Sequence, residues 1–184
     1  MSPILGIYAS QISGHLYNNS YTSLQTVTVG SGGASSITFS SIPSTYTHLQ
    51  IRAMSLTSSA VQIRLDLNGL TGSQSVYSRH HLTGIAAGPV AGGSASPASQ
   101  FLNQGVATDA TYPTVNILDF LDYANTNKYK TIRNLTGIDR NTTDGAITLS
   151  SHLYMDTTAI STISISANGA NFNQYSSFAL YGVN

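Results

Sequence analysis

Val61-Gln-Ile-Arg-Leu-Asp-Leu67, followed by Asn68-Gly69, decides the fold class. Val61, Ile63, Leu65 and Leu67 alternate with Gln62, Arg64 and Asp66, a period of two that sets the four aliphatics on one side of an extended chain. Asn-Gly tolerates the positive φ angles of a tight hairpin turn, so the strand is predicted to end where the alternation ends. The same pair of signals recurs on both sides of this stretch. Strands are predicted over residues 22–29, 35–40, 48–56, 76–82, 114–122, 129–135, 146–154, 160–167 and 176–183, all rich in β-branched and aromatic residues. Gly30-Ser31-Gly32-Gly33, Pro43-Ser44, Asp144-Gly145 and Asn168-Gly169 supply turns between them. No window sustains apolar residues at i, i+3, i+4 and i+7, so almost no helix is expected. At 117–123 the adjacent Ile117, Leu118, Phe120 and Leu121 would also suit a short helix; a strand buried on both faces is the preferred reading.

Nine or ten short strands with frequent turns predict an all-β fold, an antiparallel β-sandwich of jelly-roll type over residues 21–184. Residues 1–20 depart from the alternation and read as an N-terminal extended arm. Its apolar members Pro3, Ile4, Leu5, Ile7 and Tyr8 either pack on another protein or fold back along their own domain. Residues 83–100, crowded with Gly, Ala and Pro, read as a long mobile or intersubunit loop.

The composition narrows the functional classes. Only 8% of the 184 residues are charged, the formal net charge is zero, and every acidic residue is Asp. Such a surface has no electrostatic handle for nucleic acid or an anionic membrane. A hydrophobic content of 41% with 11 Tyr and 5 Phe argues for a packed core over disorder. There is no Cys, so neither disulfides nor thiolate metal sites can hold the fold. No apolar stretch approaches a membrane span, and the first residues lack the pattern of a signal peptide, so synthesis and assembly in the cytosol are expected. With only Lys128 and Lys130 to blunt sheet edges, some edges are expected to be covered by other subunits.

Chemistry-bearing motifs are weak. There is no G-x-S-x-G elbow, and Asp119 and Asp122 fall on opposite faces of a strand, so paired-carboxylate chemistry is disfavoured. Asp119 is expected to bond to backbone or to Arg133. His80 and His81 are adjacent and so point to opposite sides, unable to share one ion; polar pairing or a subunit contact is their expected role. Asp139, Asn141 and Asp144 form an oxygen-rich stretch without EF-hand spacing, read as a hairpin turn. No enzyme activity, metal or cofactor is expected. Tyr17, Tyr21, Tyr46, Tyr112 and Tyr123 fall near predicted loops, where they would serve subunit contacts or stack on sugar rings. Tyr17, Tyr46, His80, His81 and Tyr112 are therefore the candidate receptor or subunit contacts.

Several strings carry a resemblance. Ser2-Pro-Ile-Leu-Gly-Ile7, VTVGSGG at 27–33, ITFSSIPSTYTHLQIR at 37–52, LDYANTNKYKT at 121–131 and YSSFALYGV at 175–183 resemble a family of small virion structural proteins of tailed bacteriophages. The resemblance covers most of the chain and supplies no catalytic residues. It implies a protein displayed on the particle exterior, as capsid decoration, head fibre or tail fibre, with the arm anchoring it to capsid or tail protein. By analogy it also implies a homotrimer, with host attachment through a surface glycan as the role of a tail-fibre tip. A free carbohydrate-binding module is the competing expectation.

Overall fold

The computed structural model describes residues 20–70, 76–85, 87–94, 100–103, 107–141 and 145–184. The arm residues Pro3, Ile4, Leu5, Ile7 and Tyr8, and also Tyr17, lie outside them. Twelve strands follow in order: β1 (Tyr21–Thr28), β2 (Ser36–Phe39), β3 (His48–Ser55), β4 (Ile63–Leu67), β5 (Tyr77–Ile85) and β6 (Gly88–Ser94). The second half holds β7 (Gln100–Phe101), β8 (Thr114–Leu121), β9 (Lys130–Ile138), β10 (Ala146–Tyr154), β11 (Ile163–Ala167) and β12 (Ser177–Val183). No helix occurs among the described residues.

The strands form two antiparallel sheets, one in the order β1-β12-β3-β8-β9-β10-β5-β6 and one in the order β2-β11-β4-β7. Four strands of the large sheet, β1-β12-β3-β8, face the small one, and among these eight the chain passes from one sheet to the other at every step but β4 to β7, which pair within the small sheet. That alternation is the order of a jelly roll. The remaining pairs, β5–β6 and β9–β10, are hairpins inserted between β4 and β7 and between β8 and β11. They add four strands to one side of the large sheet and carry it beyond the eight-strand roll.

Alternation decides which residues enter the core. Ile63, Leu65 and Leu67 of β4 are buried to within 1% of full exclusion, against Phe39, Leu49, Ile51, Leu118, Phe120, Ile163, Ile165 and Leu180. Asn68 (φ 52°) and Gly69 (φ 71°) form the tight turn that ends β4, closed by Leu70 N–H donating to the Leu67 carbonyl at 2.9 Å. The Asn68 carboxamide also accepts from Ser161 N–H at 2.9 Å and Thr162 N–H at 3.2 Å. That cross-tie explains why β11 begins at Ile163, although an apolar residue, the buried Ile160, lies three positions earlier.

Three expectations are corrected. Residues 83–100 are not one long loop, because β5 runs on to Ile85 and β6 returns beside it in register from Gly88 to Ser94. Small residues here serve close pairing: a Cβ on Gly92 would stand 2.8 Å from the His81 ring and one on Gly93 2.5 Å from the His80 ring. In the stretch 117–123 the strand ends at Leu121, and Asp122 and Tyr123 are in a turn; the strand is not buried on both faces, since Leu118 and Phe120 point inward while Ile117 and Leu121 are half-buried on the outside. Tyr123 is no exposed loop aromatic; it is 1% exposed, and its hydroxyl donates to the Pro43 carbonyl.

Candidate assembly interface

Strands β8, β9, β10, β5 and β6 pair antiparallel without a register break, so residues opposite one another share a face of the sheet. Two adjacent rows on the outer face read Val115, Gly137, Ile147, Gly84, Pro89 and Ile117, Leu135, Leu149, Leu82, Ala91. None of these ten side chains is polar. Val115, Leu135, Ile147, Leu149 and Leu82 are 44–63% exposed. Single apolar residues on a surface are ordinary, but a contiguous field of them marks a surface that something covers.

The field has relief. Ile147, the most exposed of its residues, stands between Gly137 and Gly84 in its row. A Cβ built at Gly137 would meet nothing within 4 Å, and one at Gly84 would meet only the Ile147 carbonyl at 3.9 Å. Glycine therefore leaves an open hollow on each side of a protruding isoleucine. The next row is polar: Asp119, Arg133, Ser151 and His80 border the field on one side.

The inner face of the same strands is the reverse. Asn134 Nδ2 donates to the Leu102 carbonyl at 2.7 Å and to Thr136 Oγ1 at 2.8 Å, and Thr136 Oγ1 donates to Asn116 Oδ1 at 2.5 Å. Thr83 and Thr148 share a hydrogen bond of 2.9 Å, and Ser150 Oγ lies 2.9 Å from His152 Nε2. All these polar residues are buried. Burial, then the nearby Arg79 and His81, push the His152 pKa down to about 4, so its ring is neutral in the folded protein near pH 7. In the middle of the hairpin extension the polar side chains thus face inward, between buried Ile132, Ile138, Tyr77 and Tyr154, while the apolar ones of the two rows face solvent.

Neither a family model, nor a curated protein, nor a solved structure matches this chain.

His80 and His81 point to opposite faces, as the sequence predicts: His80 is exposed in the polar border, and His81 is half-buried on the inner face opposite Ser150. Burial lowers the His81 pKa, with Arg79 and His80 adding to the effect. Tyr46 is half-buried; its ring covers Gly182, where a Cβ would stand 2.5 Å from the ring atoms. Tyr112 is half-buried in the loop before β8, its N–H donating to Asp109 Oδ1 at 3.2 Å. His80, Tyr46 and Tyr112 are not gathered into one site. Tyr21 is 43% exposed on β1 and meets Tyr181 edge to face, with the Arg52 guanidinium 5.1 Å from one ring centre and 5.2 Å from the other.

The described aspartates close turns or pair with neighbours. Asp66 binds Arg64 at 2.9 Å, Asp109 binds Arg140 at 3.2 Å, and Asp122 binds Lys128. Asp139 accepts from Asn141 N–H at 2.8 Å and Asp156 from Thr158 N–H at 2.7 Å. Asp119 is held by Gln50 Nε2 at 2.8 Å, which replaces the expected bond to backbone or Arg133. Backbone N–H groups of Thr111 and Tyr112, together with Arg140, hold the Asp109 carboxyl below the ordinary range. Residues 142–144 of the oxygen-rich stretch lie outside the described residues.

The apolar field, the strongest feature of the surface, is not among the candidate contacts read from sequence. Its signal was the alternation itself in Ala146–Tyr154, where Ile147, Leu149 and Leu153 interleave with Thr148, Ser150 and His152. Period two divides the two sets without saying which faces inward.

Proposed function

We propose that this chain is a structural protein on the exterior of a tailed-bacteriophage virion, as capsid decoration, head fibre or tail fibre, and that it is not an enzyme. It is synthesised and assembled in the host cytoplasm and ends up in the particle, as a homo-oligomer for which a trimer is the reading by analogy. The virion setting comes from the strings quoted above; the observation that carries an assembly role is the uncharged apolar field on the outer face of the hairpin extension. A subunit whose exposed sheet face is apolar and whose inner face is hydrogen-bonded is built to be covered by protein. Aspartates engaged in turns and ion pairs support a structural part over a catalytic one.

Residues 1–16, with Pro3, Ile4, Leu5, Ile7 and Tyr8, are the proposed attachment to capsid or tail protein. The test is a phage carrying the gene deleted for these residues. Purified truncated protein is expected to keep its β-sheet circular dichroism while its copies vanish from the particles. Truncated protein that still loads onto virions would overturn the anchoring role. Copy number per particle then separates the two locations: hundreds of copies means decoration of the head, and a few copies means the tail. Selective binding on a glycan array, together with absence of the protein from purified particles, would replace this reading with a free carbohydrate-binding module.

A further inference from the structure

We infer that the outer face of β8, β9, β10 and β5 packs against the same face of a further copy of this chain. The inference deepens the assembly role proposed above, which rests on the same apolar field; the virion location has its own test in particle loading, so location and interface can fail separately.

Four observations commit the face to its own kind. First, ten outward positions on five strands carry no polar side chain, while Asp119, Arg133, Ser151 and His80 line one border. That is the layout of a dry interface core with a wet rim. Second, the relief is self-complementary. Ile147 rises between the hollows at Gly137 and Gly84, so the isoleucine of one copy can enter a glycine hollow of the other and receive its counterpart in return.

Third, charge permits it. The chain has no net charge, and the surroundings of the field hold two acids and two bases: Asp119 and Arg133 as cross-strand neighbours, Arg52 beside Ile117, and Asp139 beside the hollow at Ile147. An identical copy therefore meets no like-charge field, and a strongly acidic or basic partner would find nothing to select it. Fourth, the size suffices. Five strands from β8 to β6 spaced at about 4.8 Å, and three rows deep with the polar border at about 7 Å each, give a footprint on the order of 500 Å² per copy. Two such faces remove on the order of 1,000 Å² from water, the lower end of what a specific contact needs.

The test uses the full chain in solution, with no other phage protein. Light scattering after size exclusion is expected to give twice the monomer mass, because a reciprocal same-face contact closes on two copies. Ile147→Asp combined with Leu149→Asp is expected to weaken association at least roughly thirty-fold, since each replacement places a charge at the centre of an interface core. These side chains are solvent-exposed, so the variant should keep the wild-type circular dichroism. The absence of native cysteine gives an independent readout that needs no charge in the field: Leu149→Cys is expected to form disulfide-linked dimers under mild oxidation. Tyr175→Cys, at a site 71% exposed in the loop before β12, is expected not to. A wild-type chain that is monomeric at high micromolar concentration overturns the inference. So does a double variant that keeps the wild-type mass, or equal cross-linking from the two cysteine positions.

Discussion

Among single residues, His152 carries the clearest consequence for stability. Its ring is fully excluded from solvent, bonded to Ser150 Oγ, and near Arg79 and His81, so protonating it in the folded state is costly. An unfolded chain takes up that proton near pH 6.5, whereas the folded one resists until about pH 4. A base whose folded pKa is depressed contributes in full above the unfolded value, and that contribution is lost as pH falls through the window between the two. The difference corresponds to roughly 3 kcal/mol, drained between about pH 6.5 and about pH 4. Urea unfolding at a series of pH values is expected to show this decline, and His152→Gln is expected to flatten it. Equal wild-type stability at both ends of the window would refute the assignment. His81 acts in the same direction from a less buried position, which is why the single variant is the informative one.

At the scale of elements, turns hold more than their own strands together. Asn68 adopts a positive φ that alanine resists, and its carboxamide ties the β4 turn to the segment before β11, donating as well to the Ala159 carbonyl at 2.9 Å. Asn68→Ala is expected to cost about 2–4 kcal/mol in denaturant unfolding, from lost hydrogen bonds plus left-handed strain. Asn68→Asp keeps the conformation and the acceptor, and is expected to cost clearly less; equal losses would mean the cross-tie contributes little. Nearly all strands were legible in the sequence, because Val61–Leu67 alternates cleanly up to Asn68-Gly69 and the others are rich in β-branched and aromatic residues between turn residues. Gly88–Ser94 was not, because Gly-Pro-Val-Ala-Gly-Gly-Ser has the composition of a loop. What makes it a strand is the partner β5, whose two imidazoles require glycines opposite them. That is a tertiary cause which no local window contains.

For the whole molecule, two inserted hairpins turn an eight-strand roll into a lopsided body with a wide sheet on one side. If the wide face is closed by further copies, the folded state is stabilised by mass action, and the midpoint of thermal unfolding is expected to rise with protein concentration. Ile147→Asp with Leu149→Asp should remove that dependence; a wild-type midpoint indifferent to concentration would speak against a subunit that needs company. The sandwich was readable from periodicity. The interface was not, because a two-residue period sorts side chains onto two faces and leaves the choice of inside to the packing of distant strands. Inward, the Asn134 amide donates to Thr136, Ser150 and the Leu102 carbonyl and Thr148 pairs with Thr83, which leaves Leu135, Ile147 and Leu149 outside.

The inverted extension has a practical corollary for anyone engineering this protein. Selection for yield of the isolated chain would reward aspartate or lysine at Ile147 and Leu149, and each gain would erode the face on which copies meet. A library bred for expression and a library bred for particles should therefore diverge first at these two codons.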